Sequence, residues 1–121
     1  MATILYVEDD FANQKLIQRV LGAEGYEVFT ASNAKEALKV LEQHKPDLIL
    51  MDINMPEVDG FTLTKKIKSN PDWNGIPIIA LTANVMKGDR ERTLEAGCDG
   101  YIQKPIDVDA LPRQIAAFLE A

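Results

Sequence analysis

A second cysteine is missing from this sequence, and so is a second histidine. Cys98 therefore has no internal disulfide partner, which suits a reducing cytoplasm. Beside Gly97 and Gly100 it reads as a small turn residue rather than a redox centre. With His44 alone, no Cys/His cluster exists to hold zinc or another soft metal. Long apolar runs are also missing: none exceeds five residues, so nothing is expected to span a bilayer. Strand-like residues begin at once in "MATILYVEDD", leaving no room for a signal peptide. Positive charge is scarce, 13 Lys and Arg against 19 Asp and Glu, and the net charge of -6 disfavours nucleic acid or anionic membrane as a direct partner. Repeats, low-complexity tracts and linkers are absent, so residues 1–121 are expected to form one domain around one core.

What is present is an alternation of short apolar runs and helical patterns. "TILYV" reads as a strand. From Phe11 to Ala23, Leu16, Ile17, Val20 and Leu21 recur at helical spacing, and Gly25 marks the stop. "YEVFTA" alternates as a second strand, and "SNAKEALKVLEQH" opens with Asn33 and Glu36 in capping-box spacing. "LILM" and "IPIIAL" are continuous rather than alternating, as in strands covered on both faces. Between them "GFTLTKKIKSN" is a helix with Phe61, Leu63 and Ile67 inward. "DRERTLEAG" is a short polar helix whose start Gly88 weakens, and "GYIQ" is a brief fifth strand. In "DALPRQIAAFLEA" Pro112 is tolerated only in the first turn, so that helix should begin near Asp109. Strands alternating with helices predict an α/β domain with one parallel sheet and helices on both of its faces.

Ligands of such sheets bind at the carboxyl ends of the strands, and the residues there are not apolar. The first strand is followed by Glu8, Asp9 and Asp10, the third by Asp52, the fourth by Thr82 and the fifth by Lys104. Each has a plain structural explanation on its own, as a cap or a solvated charge; the set does not. Clustered carboxylates repel unless a cation sits among them. Oxygen ligands drawn partly from carboxylates suit Mg²⁺. A carboxylate beside such an ion, a hydroxyl and an ammonium together form a site for a phosphoryl group, with the carboxylate as nucleophile.

The segments "VEDD", "LILMDINMPEVDG", "ALTAN" and "YIQKP", in this order and spacing, resemble the signatures of the receiver domain of two-component response regulators. The likeness covers the whole chain. "MKGDRERTLEAGCDGYIQKPI" is similar to single-domain regulators of the chemotaxis and cell-division type, and to receivers of hybrid histidine kinases. The resemblance implies a flavodoxin-like doubly wound sheet of strand order 2-1-3-4-5. It implies that Asp52 is the phosphoacceptor, that Glu8, Asp9, Asp52 and the backbone carbonyl of Asn54 bind Mg²⁺, and that Asp10 caps the first helix. Glu8 stands where many relatives carry Asp. Thr82 and Lys104 match the switch hydroxyl and the phosphate-pairing lysine, with Tyr101 as the aromatic that turns inward. Asn54, Ala83 and Asn84 should flank the phosphoryl group, and the Lys104–Pro105 bond should be cis. The implied partners are a histidine kinase or histidine phosphotransfer protein, and a downstream protein reached through the surface of the fourth helix, fifth strand and fifth helix.

An aspartyl-phosphate phosphatase would need a second acid two residues after the nucleophile, where Asn54 stands. A flavodoxin-like cofactor protein would need a Ser/Thr/Gly loop in place of the three acids. No enzyme turnover is therefore expected beyond the chain's own phosphorylation and dephosphorylation. His44 reads as a cation at a helix end, Trp73 as an edge-packing residue, and Met51, Met55 and Met86 as core or loop packing.

Overall fold

The continuous apolar runs become the centre of the sheet, and the mixed ones its edges. The computed structural model describes residues 2–53, 60–82 and 89–120, and of residues 89, 90 and 92 the backbone only. Its elements run β1 (Thr3–Val7), α1 (Phe11–Gly22), β2 (Glu27–Ala31), α2 (Ala34–Gln43), β3 (Leu48–Asp52), α3 (Gly60–Lys68), β4 (Ile78–Thr82), α4 (Asp89–Ala96), β5 (Gly100–Gln103) and α5 (Leu111–Glu120). The strands pair in parallel in the order β2-β1-β3-β4-β5, as the resemblance implied.

Successive residues of a strand point to opposite faces, and the core divides accordingly. Leu5, Val7, Ile49, Met51, Ile78 and Ala80 face a layer built with Ala37 and Leu41 of α2 and Leu63 and Ile67 of α3. Ile4, Tyr6, Leu48, Leu50, Ile79 and Leu81 face Ile17 and Leu21 of α1 and Leu111 and Ile115 of α5. Every residue of β3 and β4 is buried. α4 leans on α3 and β5.

Local chemistry sets the helix ends. Asn33 Oδ1 accepts from Glu36 N at 2.8 Å, while Glu36 Oε1 accepts from Ser32 N at 2.7 Å, one residue earlier than a standard capping box. α5 begins at Leu111 rather than Asp109, with Pro112 in its first turn as expected. Asp107 Oδ1 accepts from Asp109 N and Ala110 N just before it.

Two expectations about packing are corrected. Leu16 is not on the inner stripe of α1 but is 44% exposed; Gln14 is buried in its stead because its amide reaches the Glu8 carbonyl and Ser32 Oγ. β2 does not alternate between buried and exposed residues. It is an edge strand half-covered on both sides, with Val28 in one layer and Phe29 in the other. Gly60 is the first residue of α3, and a Cβ there would lie 2.8 Å from Ile53 Cα. Other bland readings stand. His44 ends α2 and stacks on Phe29 with ring centroids 4.3 Å apart, Trp73 packs at the margin of the core, and Met51 is fully buried. Cys98 is more than a turn residue, being buried in the core with its Sγ 3.8 Å from Thr64 Oγ1. Burial pushes its thiol up to about 11, so it is no thiolate nucleophile.

Candidate functional site

Strand alternation carries Asp52 to the α1/α5 side of the sheet, with Leu48 and Leu50, and Thr82 to the other, with Ile78 and Ala80. β3 and β4 are in register with Asp52 opposite Leu81, so Thr82 lies one step further along the rim. Glu8 follows β1 and continues its pairing, donating its N–H to Ala31 O at 2.9 Å. Lys104 follows β5 and donates its N–H to Thr82 O at 2.8 Å. Four candidate residues are thus fixed by backbone hydrogen bonds at the carboxyl end of one rigid sheet.

The side chains of Glu8, Asp52 and Lys104 converge, together with that of Asp9. One oxygen each from Glu8, Asp9 and Asp52 lies within 4.8 Å of the others. Lys104 Nζ is 2.8 Å from Asp52 Oδ1, an ion pair in which Asp52 is nearly buried and the lysine about a quarter exposed. Asp10 does not join the acids: its Oδ1 accepts from Asn13 N at 3.1 Å and caps α1. Glu8 is 2% exposed. Its Oε1 accepts from Asn13 Nδ2 at 2.7 Å, and its Oε2 is buried with no donor to it among the described residues.

Such an oxygen is costly when charged, and burial together with the Asp52 carboxylate pushes the Glu8 carboxyl up to about 8. Tyr6, two residues before Glu8 in the chain, has its hydroxyl raised by burial and then by Glu8, Asp52 and Asp10. Three carboxylates, one with an orphaned buried oxygen, need positive charge, and among the described residues Lys104 supplies it at one corner. An all-oxygen donor set of this kind fits a hard divalent cation such as Mg²⁺.

Thr82 is fully buried and Tyr101 partly so, both on the α2/α3 side of the sheet, with Tyr101 paired to Ala80. The Lys104–Pro105 bond is cis. Asn54, Ala83 and Asn84, expected around the phosphoryl group, lie outside the described residues, as do Met55, Pro56, Met86 and Gly88. Beside the acids a groove of about 510 Å³ is lined by Tyr6, Leu16, Ile17, Pro105 and Ile106 together with Lys104. Sequence reasoning missed Asn13 and Gln14. A signal for both existed: helix side chains tilt toward the helix N-terminus, so polar residues in the first turn of α1 reach back over the end of β1.

A parallel five-stranded sheet with an acidic pocket and a lysine at its carboxyl rim is an open α/β fold of the kind that binds ligands at its strand ends. Residues 4–116 match the model of the response regulator receiver domain, and the chain belongs to that family. It is 44% identical over 117 residues to the polar-differentiation response regulator DivK of Brucella anthropi, covering 97% of this chain and 95% of that one. Its fold is similar to the chemotaxis protein CheY4 of Vibrio cholerae, with a TM-score of 0.91 at 28% identity and 98% of each chain covered. It is also similar, with a TM-score of 0.89 at 37% identity, to the receiver domain of a sensor histidine kinase from Pseudomonas aeruginosa, covering 99% of this chain and 98% of that one. That domain's structure has a magnesium ion coordinated in its active-site cleft.

Proposed function

We propose that this receiver is a phosphorylation switch in which Asp52 takes a phosphoryl group from a phosphohistidine, with Glu8, Asp9 and Asp52 holding the Mg²⁺ that the reaction needs. The observation that carries the reading is the convergence of those acids on a carboxylate whose other neighbour is the Lys104 ammonium, 2.8 Å away. An Asp52 oxygen attacks phosphorus as the phosphorus–nitrogen bond breaks, and the electron pair returns to the imidazole, which takes up a proton. Bound Mg²⁺ supplies charge neutralisation for the phosphoryl oxygens. Lys104 contributes the second positive charge, and the Thr82 hydroxyl donates to the transferred group. The backbone carbonyl of Asn54 completes the protein ligands, and Asn54, Ala83 and Asn84 border the phosphoryl group.

The donor in this reading is a histidine kinase or histidine phosphotransfer protein. Its apolar surface seats over Leu16, exposed at the groove next to Lys104, and over Phe11, exposed at the start of α1. Output passes to a protein target when Thr82 moves toward the phosphoryl group and Tyr101 turns in, altering the α4–β5–α5 surface. The chain turns over no other substrate. A cytoplasmic setting belongs to the same proposal, since a lone buried cysteine gains nothing from an oxidising compartment. Among the described residues no helix is long and apolar enough to cross a membrane.

Intact mass after incubation with Mg²⁺ and acetyl phosphate tests it. One alkali-labile phosphoryl adduct is expected on the wild type and none on Asp52→Asn or without Mg²⁺. No adduct from either acetyl phosphate or a phosphohistidine protein would overturn the reading.

A further inference from the structure

Glu8 poses a problem of reach and freedom. A glutamate has one more rotatable bond than an aspartate, so its carboxylate is less well fixed at the end of a strand. A ligand set works only when its members are held in place by the groups behind them. At Glu8 the backbone is held on both sides, its N–H by Ala31 O and its carbonyl by the Gln14 amide. On the carboxylate itself, the Asn13 amide donates to Oε1 at 2.7 Å.

We infer that Asn13 is a positioning residue for the metal pocket: its carboxamide pins Glu8 Oε1 and thereby presents Oε2 to the space shared with Asp9 and Asp52. Three observations converge on this. Glu8 Oε2 is buried with no donor to it among the described residues, although the other oxygen of the same carboxylate is bonded. The nitrogen end of the amide faces the carboxyl, the orientation that a carboxylate ionised by a metal requires, since it can then only accept. Asn13 is itself anchored, because its backbone N–H is taken by the Asp10 cap. The third acid thus serves the other two indirectly, by fixing the first turn of α1 and with it the amide that orients Glu8. A glutamate is accommodated in this pocket because a donor one helical turn away removes its extra freedom.

The inference rests on the Mg²⁺ reading above, and its test separates the two. Mg²⁺ titrations by calorimetry on the unphosphorylated protein would compare wild type, Asn13→Ala, Glu8→Asp and the double variant. Circular dichroism would check that each is folded. Asn13→Ala is expected to weaken Mg²⁺ binding by about tenfold or more, the scale of lost outer-shell contacts. In the Glu8→Asp background, whose carboxylate falls a methylene short of the amide, the same change should matter by less than about twofold. Equal losses in both backgrounds would assign the effect to the start of α1 and overturn the inference. So would an Asn13→Ala protein that binds Mg²⁺ like the wild type. A wild type that binds no Mg²⁺ would overturn the metal reading and this inference with it.

Discussion

The two ends of the sheet treat carboxylates in opposite ways. At the amino end, Asp47 Oδ2 accepts from Thr3 N at 2.7 Å, stitching the entry of β3 to that of β1. Asp99 Oδ2 accepts from Ile78 N at 2.8 Å and pairs with Lys68 Nζ at 2.9 Å. The same ammonium donates to the carbonyls of Asn74 and Ile76, so α3, β4 and β5 are tied at one point. Each of these acids has a donor in place. At the carboxyl end Glu8, Asp9 and Asp52 crowd together, and one buried oxygen has no donor among the described residues. One end spends its acids on cohesion; the other holds them in mutual repulsion that a cation relieves. The function proposed above asks for a site that is under-satisfied until a phosphoryl group and a metal arrive, and a firmly tied opposite end allows it.

The comparison can be broken most forcefully at the amino end. Asp99→Ala removes the acceptor of both Lys68 and the Ile78 N–H, and a destabilisation of about 2 kcal/mol is expected, read from urea unfolding. A change near zero would mean that this end is not where the sheet is held.

At the carboxyl end the sign should reverse. Glu8→Gln removes a crowded charge, and in Mg²⁺-free buffer at pH 8 it is expected to stabilise the fold by about 1 kcal/mol. The same substitution should lose most of the melting-temperature rise that Mg²⁺ gives the wild type. The pH profile carries the same sign. The Glu8 carboxyl, raised by burial and by Asp52 from 4.5 to about 8, keeps its proton in the fold after the unfolded chain has lost it. The folded state binds more protons across that window, so metal-free stability should fall as pH rises through it. It should recover on acidification toward pH 5, and Glu8→Gln should flatten the profile. A profile unchanged by the substitution would place the repulsion elsewhere.

The smallest effect sharpens the contrast. Thr93 in α4 is fully buried and its Oγ1 has no partner among the described residues, yet it stands apart from the three acids. With no hydrogen bond to lose, Thr93→Val should raise stability by about 0.5 kcal/mol, without altering Mg²⁺ affinity. A shift in Mg²⁺ affinity would show that unsatisfied groups in α4 and at the acidic rim are coupled.

The sequence displayed the acids, the hydroxyl and the lysine because each terminates a short apolar run, and a run that ends on a polar group marks a strand end wherever the sheet places it. Sheet order was legible only through resemblance, since no local pattern tells β1 to lie between β2 and β3. What sequence reasoning missed depends on partners distant in the chain or across an element boundary. Lys68 gave no sign that it meets Asp99, 31 residues later. Leu16 satisfied helical periodicity and still faces outward, because the inner line of α1 is Gln14, Ile17 and Leu21 and the first of these is held by polar bonds.

The pairing of Asp52 with Leu81 has an evolutionary corollary. Because adjacent strand positions face opposite sides, inserting or deleting one residue in β4 would exchange the outlooks of Leu81 and Thr82. Lineages descending from such a protein are free to exchange side chains over most of its surface. They are not free to change the length of β3 or β4 by one, so family members should differ in loop lengths while those strands keep their count.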